Sequence, residues 1–311
     1  MYDTAAQGVG RLAEAYTMAG TNKDYVRVHK YDILGRASTV TQQIGIGGTS
    51  YVATPVYDIW SRLAGQTYKR GADAEKVFGL RYNDKGHLAS VVRDTLTLWT
   101  VSEQDAANRP TKLSFGNATT QTLVYYPSSG RMQSAQVVGA SQNQLLQERY
   151  GYDAIGSVLQ RTQAWNGPGF IEDFHYDELG RLDSSKIGLV EKLTTYYADG
   201  SIKSKSGVGG ADYRYPAQGA GSSLPHAVEG FGAAPVSFTY DLNGNLKTGM
   251  GRVVKWTTFV MPSSITKGAS TVSFVYGPEH QRTRQDRGAD GTVYAGAQEV
   301  ETNGGEVKVK T

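Results

Sequence analysis

Tyr176-Asp177-Glu178-Leu179-Gly180-Arg181-Leu182 is the stretch that decides the fold. Asp at the first place of a four-residue turn can accept backbone N–H groups through its carboxylate, and Gly at the fourth can take a positive φ that a β-carbon penalises. Tyr then ends an incoming strand and Leu opens an outgoing one. The same phrase stands at Tyr31-Asp32-Ile33-Leu34-Gly35-Arg36 and, with Ser for Gly, at Tyr57-Asp58-Ile59-Trp60-Ser61-Arg62. Tyr152-Asp153-Ala154-Ile155-Gly156 and Tyr240-Asp241-Leu242-Asn243-Gly244 lack the Arg. Weaker copies are Tyr82-Asn83-Asp84-Lys85-Gly86, where Asp84 is expected to cap the turn, Tyr126-Pro127-Ser128-Ser129-Gly130-Arg131, and Tyr197-Ala198-Asp199-Gly200. Tyr2-Asp3 with Gly10-Arg11-Leu12 reads as a first copy with a stretched turn.

The spacing is regular. Tyr31 and Tyr57 are 26 residues apart, Tyr57 and Tyr82 are 25, and Tyr152 and Tyr176 are 24. Intervals of 44 (Tyr82 to Tyr126) and 43 (Tyr197 to Tyr240) are near double, which predicts degenerate units around Asp105 to Arg109 and Tyr213 to Pro216. Flanks such as Tyr25-Val26-Arg27-Val28-His29-Lys30-Tyr31 alternate with period two, so each unit reads as a β-hairpin with strands of about eight to ten residues. A lone hairpin is marginal in water and pairs edge to edge with the next. The expectation is an all-β chain, an array of hairpins making one continuous sheet over 1–311 without a domain boundary. Its Gly-rich connections are Gly45 to Gly48, Gly207 to Gly210 and Gly219 to Ser223, and its last hairpin turns at Asn303-Gly304-Gly305. Helix signals are few; Ser141 to Glu148 reads as the entry to a strand ending at Tyr152.

Composition agrees. Gly is 38 of 311 residues, about 12% against a background of about 7%, and Tyr supplies 20 residues against 8 Phe and 4 Trp. Net charge is +3, too small for a strong pull toward nucleic acid or anionic lipid. With no Cys, disulfides, thiolate metal sites and a thiol nucleophile are excluded. No run of 18 apolar residues predicts a membrane span, and the opening Met1-Tyr2-Asp3-Thr4 has no classical signal-peptide pattern.

The residues offer little to catalysis. His29, His87, His175, His226 and His280 are scattered, so no metal site or cofactor is expected. The repeat Asp residues are needed at their turns. Arg36, Arg62, Arg131 and Arg181 could form a basic ladder for a polyanion, but the low net charge favours packing on Tyr rings or pairing with nearby Asp. Trp60, Trp99, Trp165 and Trp256 could line a sugar-binding face; buried packing is the expectation. Gly45-Ile46-Gly47-Gly48 lacks the Gly-Lys-Ser/Thr of a phosphate loop, and no Gly-x-Ser-x-Gly elbow occurs. Asn117-Ala118-Thr119 fits a glycosylation sequon and carries little weight.

The phrase resembles the YD repeat of Rhs proteins, of the C components of bacterial ABC-type toxin complexes, and of teneurins. A second signature is similar to the stretch before the Rhs core: Leu224-Pro225-His226, Tyr240 to Asn245, Lys255-Trp256-Thr257 with Met261-Pro262, and Phe274 to Arg282, in that order. The resemblance covers essentially the whole chain. It implies a hollow β-shell that encloses the toxin region of the same polypeptide or a partner, a bacterial protein secreted or surface-exposed through a specialised system, and no enzyme activity in this chain. The family's core segment, with its aspartyl autoprotease and Asp-Pro signature, is expected to be missing, since no Asp-Pro dipeptide occurs. The chain is therefore expected to be a shell fragment or a short orphan product, whose open sheet edges promote self-association. The alternative is a surface module binding carbohydrate or a partner protein.

Overall fold

The computed structural model describes residues 1–208, 212–217, 219, 221–232 and 236–311. Gly209, Gly210 and Ala220, from two of the expected Gly-rich connections, lie outside the described residues. Twenty-seven strands fall into two antiparallel sheets of seventeen and ten, with no helix among the described residues. Strands are shorter than expected and span 2 to 10 residues, because each repeat also accommodates a second turn at the far end of its hairpin. Gly188 and Gly268, both at positive φ, stand at two such turns.

Backbone packing divides the chain into two units, Met1–Leu96 with Asp241–Thr311, and Thr97–Tyr240. The second limit falls inside the Tyr240-Asp241 phrase. In the first unit the strands from Glu14–Ala19 to Leu88–Arg93 pair each with the next, antiparallel, and so do those from Leu246–Gly249 to Glu306–Lys310. These two runs pack against each other. Tyr51, Ala295 and Val300 are buried together, with Ile44 and Val293 beside them. Tyr25 and Thr283 are each only 1% exposed. The Gln281 side-chain amide donates to the Tyr25 hydroxyl at 3.2 Å, and Arg27 pairs with Glu279.

The second unit is thinner. Its strands from Leu96–Gln104 to Ile202–Lys205 form one meander, and Gly230–Phe231 pairs with Val236–Tyr240. Ala135 is its one fully buried apolar side chain among the described residues. Period-two alternation, as in the half-buried and exposed residues of Phe170–Tyr176, leaves both faces of such a sheet partly solvated. The protein exposes 18888 Å² in all, against about 12,700 Å² for a compact monomer of its 33.6 kDa mass.

Candidate functional site

The repeated feature of the structure is the hairpin corner. At Asp177 the backbone N–H donates to the Arg181 carbonyl at 2.9 Å, and the Gly180 N–H donates back to the Asp177 carbonyl at 2.9 Å. The register slips by one residue between His175 and Tyr176, the mark of a type I turn closed by a left-handed residue and a bulge. Gly180 is that residue, at φ 73°. The Asp177 carboxylate accepts the N–H groups of Leu179 and Arg181 on one oxygen and the Arg181 guanidinium on the other, at 2.7 Å. The same set recurs at Asp32 with Arg36, Asp58 with Arg62, and Asp105 with Arg109. Asp241 keeps the backbone contacts and holds the Asn245 amide at 2.9 Å in place of an Arg. Asp153 accepts the N–H groups of Gly156 and Ser157.

These contacts bias the carboxyls. The Arg109 and Arg181 side chains, followed by their backbone N–H groups, hold Asp105 and Asp177 below the ordinary value of 3.8. Asn245 does the same for Asp241.

Corners are coupled to their successors by two contacts. Where a repeat carries its Tyr, the hydroxyl donates to a backbone carbonyl just past the preceding corner. Tyr31 reaches Leu12 at 2.7 Å, Tyr57 reaches Ala37 at 3.1 Å, Tyr82 reaches Leu63 at 2.8 Å, Tyr152 reaches Met132 at 2.9 Å, Tyr176 reaches Val158 at 3.0 Å and Tyr240 reaches Val228 at 2.8 Å. The guanidinium of the preceding corner lies over the same ring: Arg36 over Tyr57 at 4.3 Å, Arg62 over Tyr82 at 4.2 Å, Arg181 over Tyr196 at 4.3 Å and Arg131 over Tyr152 at 5.7 Å. Each such Arg is thus shared between a Tyr face and, where one is present, its own Asp, an arrangement that leaves no free basic ladder at these positions.

The Gly has a second duty. A β-carbon at Gly156 would collide with the Arg131 guanidinium, one at Gly130 would lie 2.7 Å from Arg109, and those at Gly35 and Gly86 would each press at 3.1 Å on Arg11 and Arg62. Gly180 follows a corner that carries Ser157 instead of Arg, and nothing lies within 4 Å of its β position; Gly200, after the Arg181 corner, is equally open, so the close approach is not made at every corner.

Several assignments from the sequence shift. At Tyr82 the capping side chain is Asn83, which accepts from Lys85 at 3.1 Å and from His87 at 2.9 Å; Asp84 stands one place further on. In the Tyr125-Tyr126 and Tyr196-Tyr197 pairs the first Tyr holds the ladder place, reaching Pro110 and Leu182. Tyr126 and Tyr197 occupy the Asp place, because the extra Tyr moves the corner by one residue. Asp105 to Arg109 is a full corner with Gln104 where Tyr would stand, and Tyr215 reaches Ile202, so both double intervals contain a unit. Trp256, missed as a Tyr equivalent, donates its indole N–H to the Leu246 carbonyl at 2.8 Å. Its corner is not announced in the sequence, because Val260 stands in the left-handed place where Gly would mark it. Trp60 and Trp165 are not buried: they are 70% and 65% exposed, since they stand at or beside turns where no second layer covers them. Trp99 and Trp256 are half-buried. Among the described residues no group of three or more His, Asp or Glu is placed to hold a metal.

No family model matches the chain. No curated protein matches it. Solved structures do. A crystal structure of TcdB2–TccC3–Cdc42 superposes with a TM-score of 0.75 over 97% of this chain at 14% identity. A structure of TcdB2–TccC3 gives 0.72 over 96% at 14% identity, and a Photorhabdus luminescens Tc holotoxin pore gives 0.69 over 96% at 14%. This chain spans 17% of the length of the first and third and 18% of the second. By fold, then, the corner-and-ladder hairpin array is similar to these all-β toxin-complex structures.

Proposed function

We propose that this chain is a wall segment of an enclosing β-shell that sequesters a toxic effector carried by the same or a partner polypeptide. The observation that supports this reading most is the recurring corner ladder, which ties hairpin to hairpin while burying very few side chains. A sheet with so few buried side chains is suited to separating two solvent compartments, and separation is the service an encapsulating protein performs. The resemblance of the repeat phrases to Rhs proteins supports the same role, with secretion or surface display as its setting. The role needs no catalytic group: the repeat carboxylates, the most numerous candidates, are engaged in turn hydrogen bonds.

Small-angle scattering with electron-microscopic imaging tests the proposal. The expected result is a radius of gyration well above the roughly 19 Å of a compact 311-residue domain, with a low-density interior. A filled particle of compact dimensions would refute it. The exposed Trp60 and Trp165 favour one second reading, a surface module that binds carbohydrate; a glycan array without a ligand would remove it.

A further inference from the structure

In the second unit, the corner after Tyr196 and the segment that runs back beside it enclose an open cleft of about 670 Å³. Its aromatic walls are Tyr197, Tyr213 and Tyr215, and its carboxylates are Asp199, Asp212 and Glu229. Tyr197 and Tyr215 meet edge to face at 6.1 Å, and Tyr213 is backed by Phe231 at 5.2 Å, so the rings are braced by other aromatics.

Two phenol donors are already engaged. The Tyr197 hydroxyl donates to the Tyr213 carbonyl at 3.2 Å and the Tyr215 hydroxyl to the Ile202 carbonyl at 2.9 Å. What these two residues offer a ligand is ring surface. Asp199 is steadied by the Ser201 N–H at 2.9 Å and the Ser201 hydroxyl at 3.2 Å. The one cation of the lining, Arg214, donates to the Gly232 carbonyl at 3.4 Å. The lining sets three carboxylates against one guanidinium, and His226, outside the lining, lies 4.0 Å from Asp199. Burial and the neighbouring Tyr213, Asp199 and Tyr197 push the Tyr215 hydroxyl above its ordinary range.

We propose that this cleft binds a cationic side chain, the guanidinium or ammonium of a basic peptide segment. The chemistry is complementary on both counts. Arg and Lys side chains are donors only, and the cleft presents carboxylate acceptors and π faces. A cation is attracted to the face of a Tyr ring and hydrogen-bonds charge to charge with carboxylates. A neutral sugar brings acceptor oxygens as well as donors, for which the cleft has few free partners.

The test uses the full chain with ring-labelled tyrosine, titrated in NMR with acetyl-Arg-Arg-amide, acetyl-Lys-Lys-amide, acetyl-Gln-Gln-amide and cellotetraose. The expected result is a saturable shift of the Tyr197, Tyr213 and Tyr215 ring signals with the two basic peptides only. Affinity should weaken about tenfold or more in the Asp212→Asn/Glu229→Gln double variant, which removes two charge-assisted contacts and leaves the corner hydrogen bonds intact. Tyr213→Ala should weaken it too; if that variant melts early, the carboxylate pair carries the test alone. Absence of a saturable shift, equal binding by the double variant, or a shift with cellotetraose and none with the basic peptides would overturn the proposal.

Discussion

At the scale of the residue, the left-handed place in each corner sets the strictest demand. Gly fills it at Gly35, Gly86, Gly156, Gly180 and Gly244, but Ser61 (φ 64°), Asn108 (φ 60°), Val260 (φ 64°) and His280 (φ 61°) adopt the same conformation with a β-carbon. Val260 is the hardest case, because a β-branched residue is least suited to that region. Val260→Gly should stabilise the protein by about 1 kcal/mol, read as a shift in the denaturant midpoint with an unchanged slope. His280 stacks on Phe259 at 4.2 Å, so the same change there removes a contact as well as strain and should gain less. The two duties of the corner Gly separate by comparison. Gly180→Ala should cost about 1 kcal/mol, from φ alone. Gly156→Ala should cost roughly 0.5–1 kcal/mol more, because the displaced Arg131 loses its place over Tyr152. Adding Arg131→Ala to both backgrounds should erase that excess; if the gap persists in the double-mutant cycle, close approach of the guanidinium is not its cause.

At the scale of the element, a corner that carries both Asp and Arg is a small electrostatic device with a pH dependence. The Asp105 and Asp177 carboxyls sit below 3.8 in the folded chain because their Arg partners favour the charged form. As pH falls, the unfolded chain takes up these protons first, so stability is lost as pH drops through about 4 toward the lower folded values. Denaturant unfolding between neutral and acid pH should show this loss, and Asp177→Asn should flatten it; an unchanged profile would mean the corner Asp residues do not carry it. The outer strand Glu306–Lys310 pairs with Gln298–Asn303, and its Val307 and Val309 are 53% and 46% exposed. Val307→Lys should lower self-association in sedimentation, since a further charge on this strand, beside Lys308 and Lys310, disfavours pairing with a second copy. The corners were legible in the sequence because Asp and Gly act locally, within five residues. The ladder was not. The acceptor for the Tyr176 hydroxyl, Val158, lies 18 residues back and contributes only a backbone carbonyl, which no residue type announces. Tyr126 and Tyr197 were misplaced because a Tyr-Tyr pair offers two registers that differ by one residue, and only the pairing with the outgoing strand chooses between them.

At the scale of the whole molecule, the balance between surface and core is the physical quantity that the repeat pattern does not disclose. The contact between Tyr25 and Gln281 joins residues 256 positions apart; Tyr25 lies outside the repeat phrase, and Gln281 holds in its corner the place that Arg181 holds in another. The sparse core, by contrast, follows from the repeat itself. Alternating strands joined by short corners make a sheet with two faces, and only the first unit shows one run of strands covered by another. The thermodynamic consequence is specific. Unfolding a chain of 33.6 kDa exposes about 49,000 Å² in the extended reference, so a native surface of 18888 Å² leaves about one sixth less area to uncover than a compact monomer of that mass. The denaturant slope and the heat-capacity change both scale with that area. Both should therefore fall about one sixth below the values for a compact 311-residue protein, a reduction that calorimetry and urea unfolding can measure independently. Loss of cooperativity would lower the apparent urea slope alone, whereas a thin sheet lowers the calorimetric heat capacity as well. Agreement of the two reductions is the expected outcome, and a heat-capacity change of full compact size would contradict a native surface as large as 18888 Å².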